Sequence, residues 1–236
     1  MTPHQPDSFQ RPREPVFFLH KSVVAAASVC AALFLAQNYV LSGSANAVFI
    51  RYLAFVPARV TEPGEGLLSL WTAVTCSLLH ASLAHLAVNM IWLAAFGAPL
   101  AQRIGSKRFA LFWVFAALCA TAMHFVTHVG DASPLVGASG VVSGAMGAAA
   151  RFGFATRGGS GPRAFAGKPL SLAAALRSRS VVMFVAVWAL INFVTGAGLA
   201  PVGGSSGQIA WEAHIGGFLA GFFGLKLFDI PASRQS

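Results

Sequence analysis

Two short stretches of the chain, Gly137-Ala138-Ser139-Gly140 and Ala213-His214-Ile215-Gly216-Gly217, hold a serine and a histidine at the starts of apolar segments about 75 residues apart. A serine hydroxyl activated by an imidazole is the minimal nucleophile–base pair for acyl transfer. A polar pair at membrane depth is costly and is by default a functional-site hypothesis. A third group lies upstream, His80, His85 and Asn89. His85 and Asn89 are four residues apart and share a helical face. An imidazole N–H and an amide NH₂ pointing the same way can donate to a developing oxyanion, and the backbone N–H of Ser139, free at a helix start, is a third donor.

Each feature also has a plainer reading. Ser139 is a good helix N-cap, and His85 with Asn89 can form an interhelical hydrogen bond of about 0.6 kcal/mol. No Asp, Glu or Cys accompanies these histidines at ligand spacing, so no metal and no cofactor are expected. His124 and His128, one turn apart, read as interfacial side chains rather than ligands. Glu212 reads as a favourable charge near a helix N-terminus.

The elements that must position these residues are membrane helices. Of 236 residues, 56% are hydrophobic and 10% charged, against about 25% charged in ordinary soluble domains; the mean hydropathy is +0.68. Six spans are expected, near 20–41, 83–101, 108–128, 139–154, 180–198 and 211–230, an all-α polytopic bundle. The first run is longer than the apolar core of a signal peptide and is expected to be retained. With six spans and the N-terminus inside, 14 of the 16 Lys and Arg fall on inner segments, and only Arg51 and Arg59 fall outside. That asymmetry predicts cytoplasmic termini. It also assigns the net charge of +9 to membrane sidedness rather than to nucleic acid.

Residues 1–19 hold four prolines among polar residues and are expected to be a disordered tail, with 231–236 a short second tail and 20–230 the membrane domain. The outer loop 42–82 is half apolar and should lie in the interface. The inner loop 155–179 reads as a flexible linker, and the glycine-rich loop 196–207 as a mobile cap. Three cysteines without a CxxC indicate neither a disulfide framework nor a zinc ribbon. Trp92 and Phe96 on the second span, with Phe184 and Trp188 on the fifth, are candidates for a lateral gate, or simply lipid-facing aromatics.

Glycines bear on how Ser139 and His214 meet. Gly137, Gly140, Gly144 and Gly147 leave the fourth span with a nearly bare face, and Gly217 and Gly221 form a small-xxx-small pair on the sixth. Such faces let membrane helices approach closely, which would bring the His214 imidazole toward Ser139. The plainer reading is helix packing alone.

With GxSG at 137–140, AHxGGxxxG from Ala213 to Gly221, and His80, His85 and Asn89 in HxxxxHxxxN spacing, the chain from about residue 20 resembles the rhomboid family of intramembrane serine proteases. The resemblance implies Ser139 as nucleophile and His214 as general base. It implies an oxyanion hole of His85, Asn89 and the Ser139 amide, with His80 structuring the first outer loop. It further implies transmembrane-protein substrates cut near their outer ends in a lipid bilayer. The retained apolar spans near both ends and the lack of an import sequence make a bacterial inner membrane the expected location. Two positions differ from the usual pattern. Trp71 is followed by Thr72 rather than an arginine, and Ser143 replaces an aromatic that stacks on the histidine. The alternative function is a catalytically silent relative that binds transmembrane clients. A transporter is disfavoured, because no internal repeat is evident.

Overall fold

A computed structural model of the chain describes residues 19–157, 164–199 and 210–230. The expected tails therefore lie almost wholly outside the described residues, as does most of the expected cap at 196–207.

Apolar runs set the long helices. α1 (Lys21–Leu35) continues through a wide turn at Ala36–Val40. The 42–82 segment folds into α2 (Gly43–Leu53) and α3 (Gly66–Thr75). Next comes α4 (Leu83–Trp92), started by the Ser82 side chain, which accepts from the His85 amide. A second wide turn at Leu93–Gly97 joins α4 to α5 (Ala98–Ile104). α6 (Ser106–Thr127) and α7 (Ser139–Arg151) follow. A two-residue antiparallel hairpin, β1 (Thr156–Arg157) with β2 (Ala164–Phe165), leads into α8 (Leu172–Arg177), α9 (Arg179–Gly196) and α10 (Trp211–Gly224).

Among the described residues, four helical stretches are long and apolar enough to cross a membrane: Lys21–Val40, Leu83–Ile104, Ser106–Thr127 and Arg179–Gly196. α7 and α10 are shorter, and complete the six. At 13 residues, α7 extends only about 20 Å. Its shortness is accommodated because it is the centre of the bundle, buried from Gly140 through Arg151.

α7 and α10 touch through backbone. A Cβ placed on Gly217 would overlap the Gly140 carbonyl oxygen, and one on Gly221 would overlap that of Gly144. On its other flank α10 meets α6, where Gly216 faces the Cys119 carbonyl. Without a hydrophobic force between helices in lipid, such contacts supply the packing that holds them together. Phe112 and Ala116 of α6, Val141 and Ala145 of α7, and Phe218 and Phe222 of α10 fill the surrounding core.

The two ends of the bundle are braced differently. At one end, the 42–82 segment ties to the loop before α7 through a two-way backbone bridge between Phe55 and Leu135. Leu67, Leu70 and Trp71 of α3 remain exposed, as an interfacial segment requires. Arg51 pairs with Glu65, and Arg59 donates to the Arg51 carbonyl, so this segment is braced without an arginine at position 72. Thr72 is buried and bonds the Ser69 carbonyl.

At the other end, two arginines hold described residues of the expected linker 155–179. The Arg103 guanidinium grips both Asp229 carboxylate oxygens (2.7 and 3.0 Å) and the carbonyls of Phe165 and Gly167. Arg151, fully buried, donates to the carbonyls of Leu170 and Phe222 at 2.7 Å each. Composition suggested a flexible linker, and within it the carbonyls of Phe165, Gly167 and Leu170 are held by these two arginines.

Candidate active site

Ser139 is the first residue of α7, and Ala138 occupies the cap position without any side-chain capping bond. The serine hydroxyl is therefore not used as a helix cap. It lies 2.8 Å from His214 Nε2, in the first turn of α10. The close α7–α10 contact at Gly217 and Gly140 sets that distance, since any side chain at 217 would push the helices apart.

The imidazole is held from its other side as well. His214 Nδ1 lies 2.5 Å from Oδ1 of Asn192 on α9. The amide orientation follows from its second bond, in which Asn192 Nδ2 donates to the Trp188 carbonyl at 2.7 Å. The oxygen must then face His214, and an oxygen only accepts. The hydrogen of the neutral ring is therefore on Nδ1, and Nε2 carries the lone pair toward the Ser139 hydroxyl. Ser139, His214 and Asn192 form one hydrogen-bonded chain across three helices. The sequence reading did not include Asn192. The available signal was a lone amide within the apolar run Val185–Val194, since polar side chains at membrane depth tend to be functional.

The backbone leading into Ser139 is built for close approach. Gly137 has φ +131°, a region that L side chains avoid, and its amide donates to the Cys76 carbonyl at 2.9 Å. A Cβ there would sit 2.8 Å from His85 Cε1 and 2.9 Å from its Nε2. The glycine is what lets the His85 ring reach the serine. His85 belongs to α4, and one turn on, Asn89 is buried, with its Nδ2 donating to the His85 carbonyl at 2.9 Å. The amide keeps a second N–H for another acceptor. The Ser139 amide has no backbone acceptor among the described residues. His80 is fully buried behind His85, ring centroids 5.1 Å apart and edge-on, and so supports rather than faces the opening.

These groups border one open cavity of about 800 Å³, lined by Ser139, His214, His85, Asn89 and Asn192 among others. Trp92, Phe184 and Trp188 lie along the same wall, and Phe96 meets Phe184 at 5.9 Å between ring centroids. Trp188 also stacks on Phe218 of α10 at 4.6 Å. The four aromatics flagged in the sequence thus sit at the seam between α4–α5 and α9. Gly140 packs against Ala120 of α6, and Gly217 and Gly221 lie at the α7–α10 contact. Ser143 is buried in α7, and Asn192, not a stacked ring, engages the far side of the imidazole.

Comparison with known proteins bears on this arrangement. A family model described as the Rhomboid domain matches residues 68–228, which takes in the second to sixth spans and leaves the first outside the match. Over 99 residues, 42% of this chain and 31% of the relative, the sequence is 32% identical to RHOMBOID-like protein 5 of Arabidopsis thaliana. Over 161 residues, 68% of this chain and 26% of the relative, it is 26% identical to Rhomboid protease GluP of Bacillus subtilis (strain 168). The chain thus spans less than a third of the length of either relative.

Proposed function

The chain belongs to the rhomboid family, and from that premise we propose that it is an intramembrane serine endopeptidase whose nucleophile is Ser139 and whose general base is His214. The observation that carries the reading is the 2.8 Å contact between Ser139 Oγ and His214 Nε2 at the wall of an open cavity. A protein that only binds clients has no use for a hydroxyl aligned on an imidazole lone pair.

In the proposed reaction the Ser139 hydroxyl attacks a peptide carbonyl as His214 Nε2 takes its proton, then His214 returns that proton to the leaving amine. Water enters the open cavity and hydrolyses the acyl-enzyme by the same route. The imidazolium formed in each half-reaction donates from Nδ1 to Asn192, so charge is stabilised without a carboxylate. The oxyanion is received by His85, Asn89 and the Ser139 amide. One such donor contributes about 3–4 kcal/mol in well-studied hydrolases.

The substrate is a transmembrane helix approaching through the seam between α4–α5 and α9, where Trp92, Phe96, Phe184 and Trp188 cluster. Its amides are tied up in i to i−4 bonds, so it must unwind locally before attack. Gly or Pro near its outer end should therefore promote cutting. The distribution of Lys and Arg supports an orientation with both termini cytoplasmic.

The test uses proteoliposomes holding the protein and a model transmembrane substrate, with or without a Gly-Pro pair near the substrate's outer end. Cleavage that requires Ser139 and His214, and that falls when the Gly-Pro pair is replaced by Leu, supports the proposal. Cleavage surviving Ser139→Ala overturns it. Specific capture of substrate without any cleavage, by folded protein in several lipids, gives the client-binding function instead.

A further inference from the structure

A second set of ligating side chains converges where the end of α6 meets the start of α10, along the cavity that the serine also lines. His124 and His128 stand one turn apart at the end of α6, and Glu212 sits in the first turn of α10. One ligand atom from each lies within 4.8 Å of the other two. The two imidazoles are already side by side, ring centroids 4.2 Å apart and 21° from parallel.

The histidines carry the marks of a site that awaits a ligand. His124 is only 7% exposed, and its Nδ1 is buried with no hydrogen-bond partner among the described residues. Buried polar atoms are nearly always satisfied, so an exception calls for an explanation. His128 Nδ1 lies 3.2 Å from the His124 carbonyl oxygen and 2.9 Å from Thr127 Oγ1. With its hydrogen on Nδ1, donating to that carbonyl, His128 presents the lone pair of Nε2. Metal-binding histidines are oriented this way, with the far N–H on a carbonyl or carboxylate. Asp131, in the following loop, is close enough to act electrostatically on both rings, and its charge favours a nearby cation.

We propose that His124, His128 and Glu212 form a binding site for one divalent transition metal of the zinc class, bridging the outer end of α6 to the first turn of α10. Two imidazoles and a carboxylate make a donor set that zinc accepts with a fourth position open. Donors around tetrahedral zinc lie about 3.3 Å apart, so the site closes with side-chain movements of no more than about 1.5 Å. All three residues help to line the cavity. Glu212 is two residues before His214, so an occupied site ties the helix carrying the imidazole to α6. The proposal concerns binding and does not depend on protease activity.

The test is a Co²⁺ titration of tag-free protein in micelles, followed by displacement with Zn²⁺ and equilibrium dialysis of the zinc. The expected result is one metal per chain, with visible absorption of a four- or five-coordinate Co²⁺ site. His128→Ala and Glu212→Gln should each weaken binding at least about tenfold, with helical content and elution volume unchanged, whereas His20→Gln should leave the affinity as it is. His128 lies at a helix end, so its removal is compatible with folding. Absence of stoichiometric binding, or an affinity indifferent to both substitutions, would overturn the proposal.

Discussion

Replacing Asn192 by Ala removes the only acceptor for the His214 Nδ1–H among the described residues and leaves Ser139, His85 and Asn89 in place. The magnitude follows from when the bond matters. In the resting protein it joins two neutral groups between membrane helices, and such bonds average about 0.6 kcal/mol and reach about 1.7 at most. Once His214 has taken the serine proton, the bond is charge-assisted and contributes about 1.5–3 kcal/mol. The loss therefore falls mainly on the transition state. Subtracting the resting bond leaves about 0.9–2.4 kcal/mol, so at about 1.36 kcal/mol per factor of ten kcat should fall roughly 5- to 60-fold while KM changes little. Asn192→Asp should retain most of the activity. Protonated, it donates to the Trp188 carbonyl and accepts from His214 as the amide does; ionised, it places a full charge opposite the imidazolium. The assay is initial-rate cleavage of a transmembrane substrate over a concentration series in proteoliposomes, beside unfolding of each variant in micelles. If Asn192→Ala turned over within twofold of wild type, the imidazole would not depend on this amide. A drop in rate matched by an equal loss of stability would make Asn192 a packing residue only.

Gly137→Ala puts a methyl group against the His85 ring at a positive φ, so kcat should fall by about a hundredfold or more as that donor is displaced; initial rates on the same substrate check this. Gly221→Ala should force α7 from α10 at the Gly144 carbonyl, costing about 1–3 kcal/mol and slowing covalent labelling of Ser139. Its unfolding midpoint, and the labelling rate of the folded fraction, measure both effects. Arg151→Met leaves the Leu170 and Phe222 carbonyls unpaired at the far end of the bundle. Stability should drop by about 1–3 kcal/mol, with labelling of the folded protein near the wild-type rate.

The sequence made the helices legible because lipid imposes long apolar runs, and the observed boundaries fall within a few residues of those expected, except at the end of the sixth span, where α10 stops at Gly224 against an expected 230. The Gly217/Gly221 pair and the small-residue face of α7 likewise announced a close helix contact, which the backbone overlap at Gly140 and Gly144 explains. Side-chain direction was harder to read. α9 is apolar almost all round, so nothing in its pattern says which face Asn192 occupies. Only the rotational setting of α9 against α10 brings that amide to His214. Arg151 counted in the sequence as one more inner positive charge, yet it is buried among carbonyls, a role that depends on where Leu170 and Phe222 fall in space. Glu212 looked like a dipole partner for its own helix. Its approach to His124 and His128 depends on the packing of α10 against α6, which sequence spacing does not encode.

The central claim, an activated Ser139, is tested most directly by intact-protein mass spectrometry after exposure to a fluorophosphonate in lipid. The account predicts a single adduct on wild-type protein, located by fragmentation on Ser139, absent in Ser139→Ala and lost or slowed by at least about a hundredfold in His214→Ala. Folded wild-type protein that stays unmodified across several lipids, or that is modified equally after His214→Ala, would contradict it.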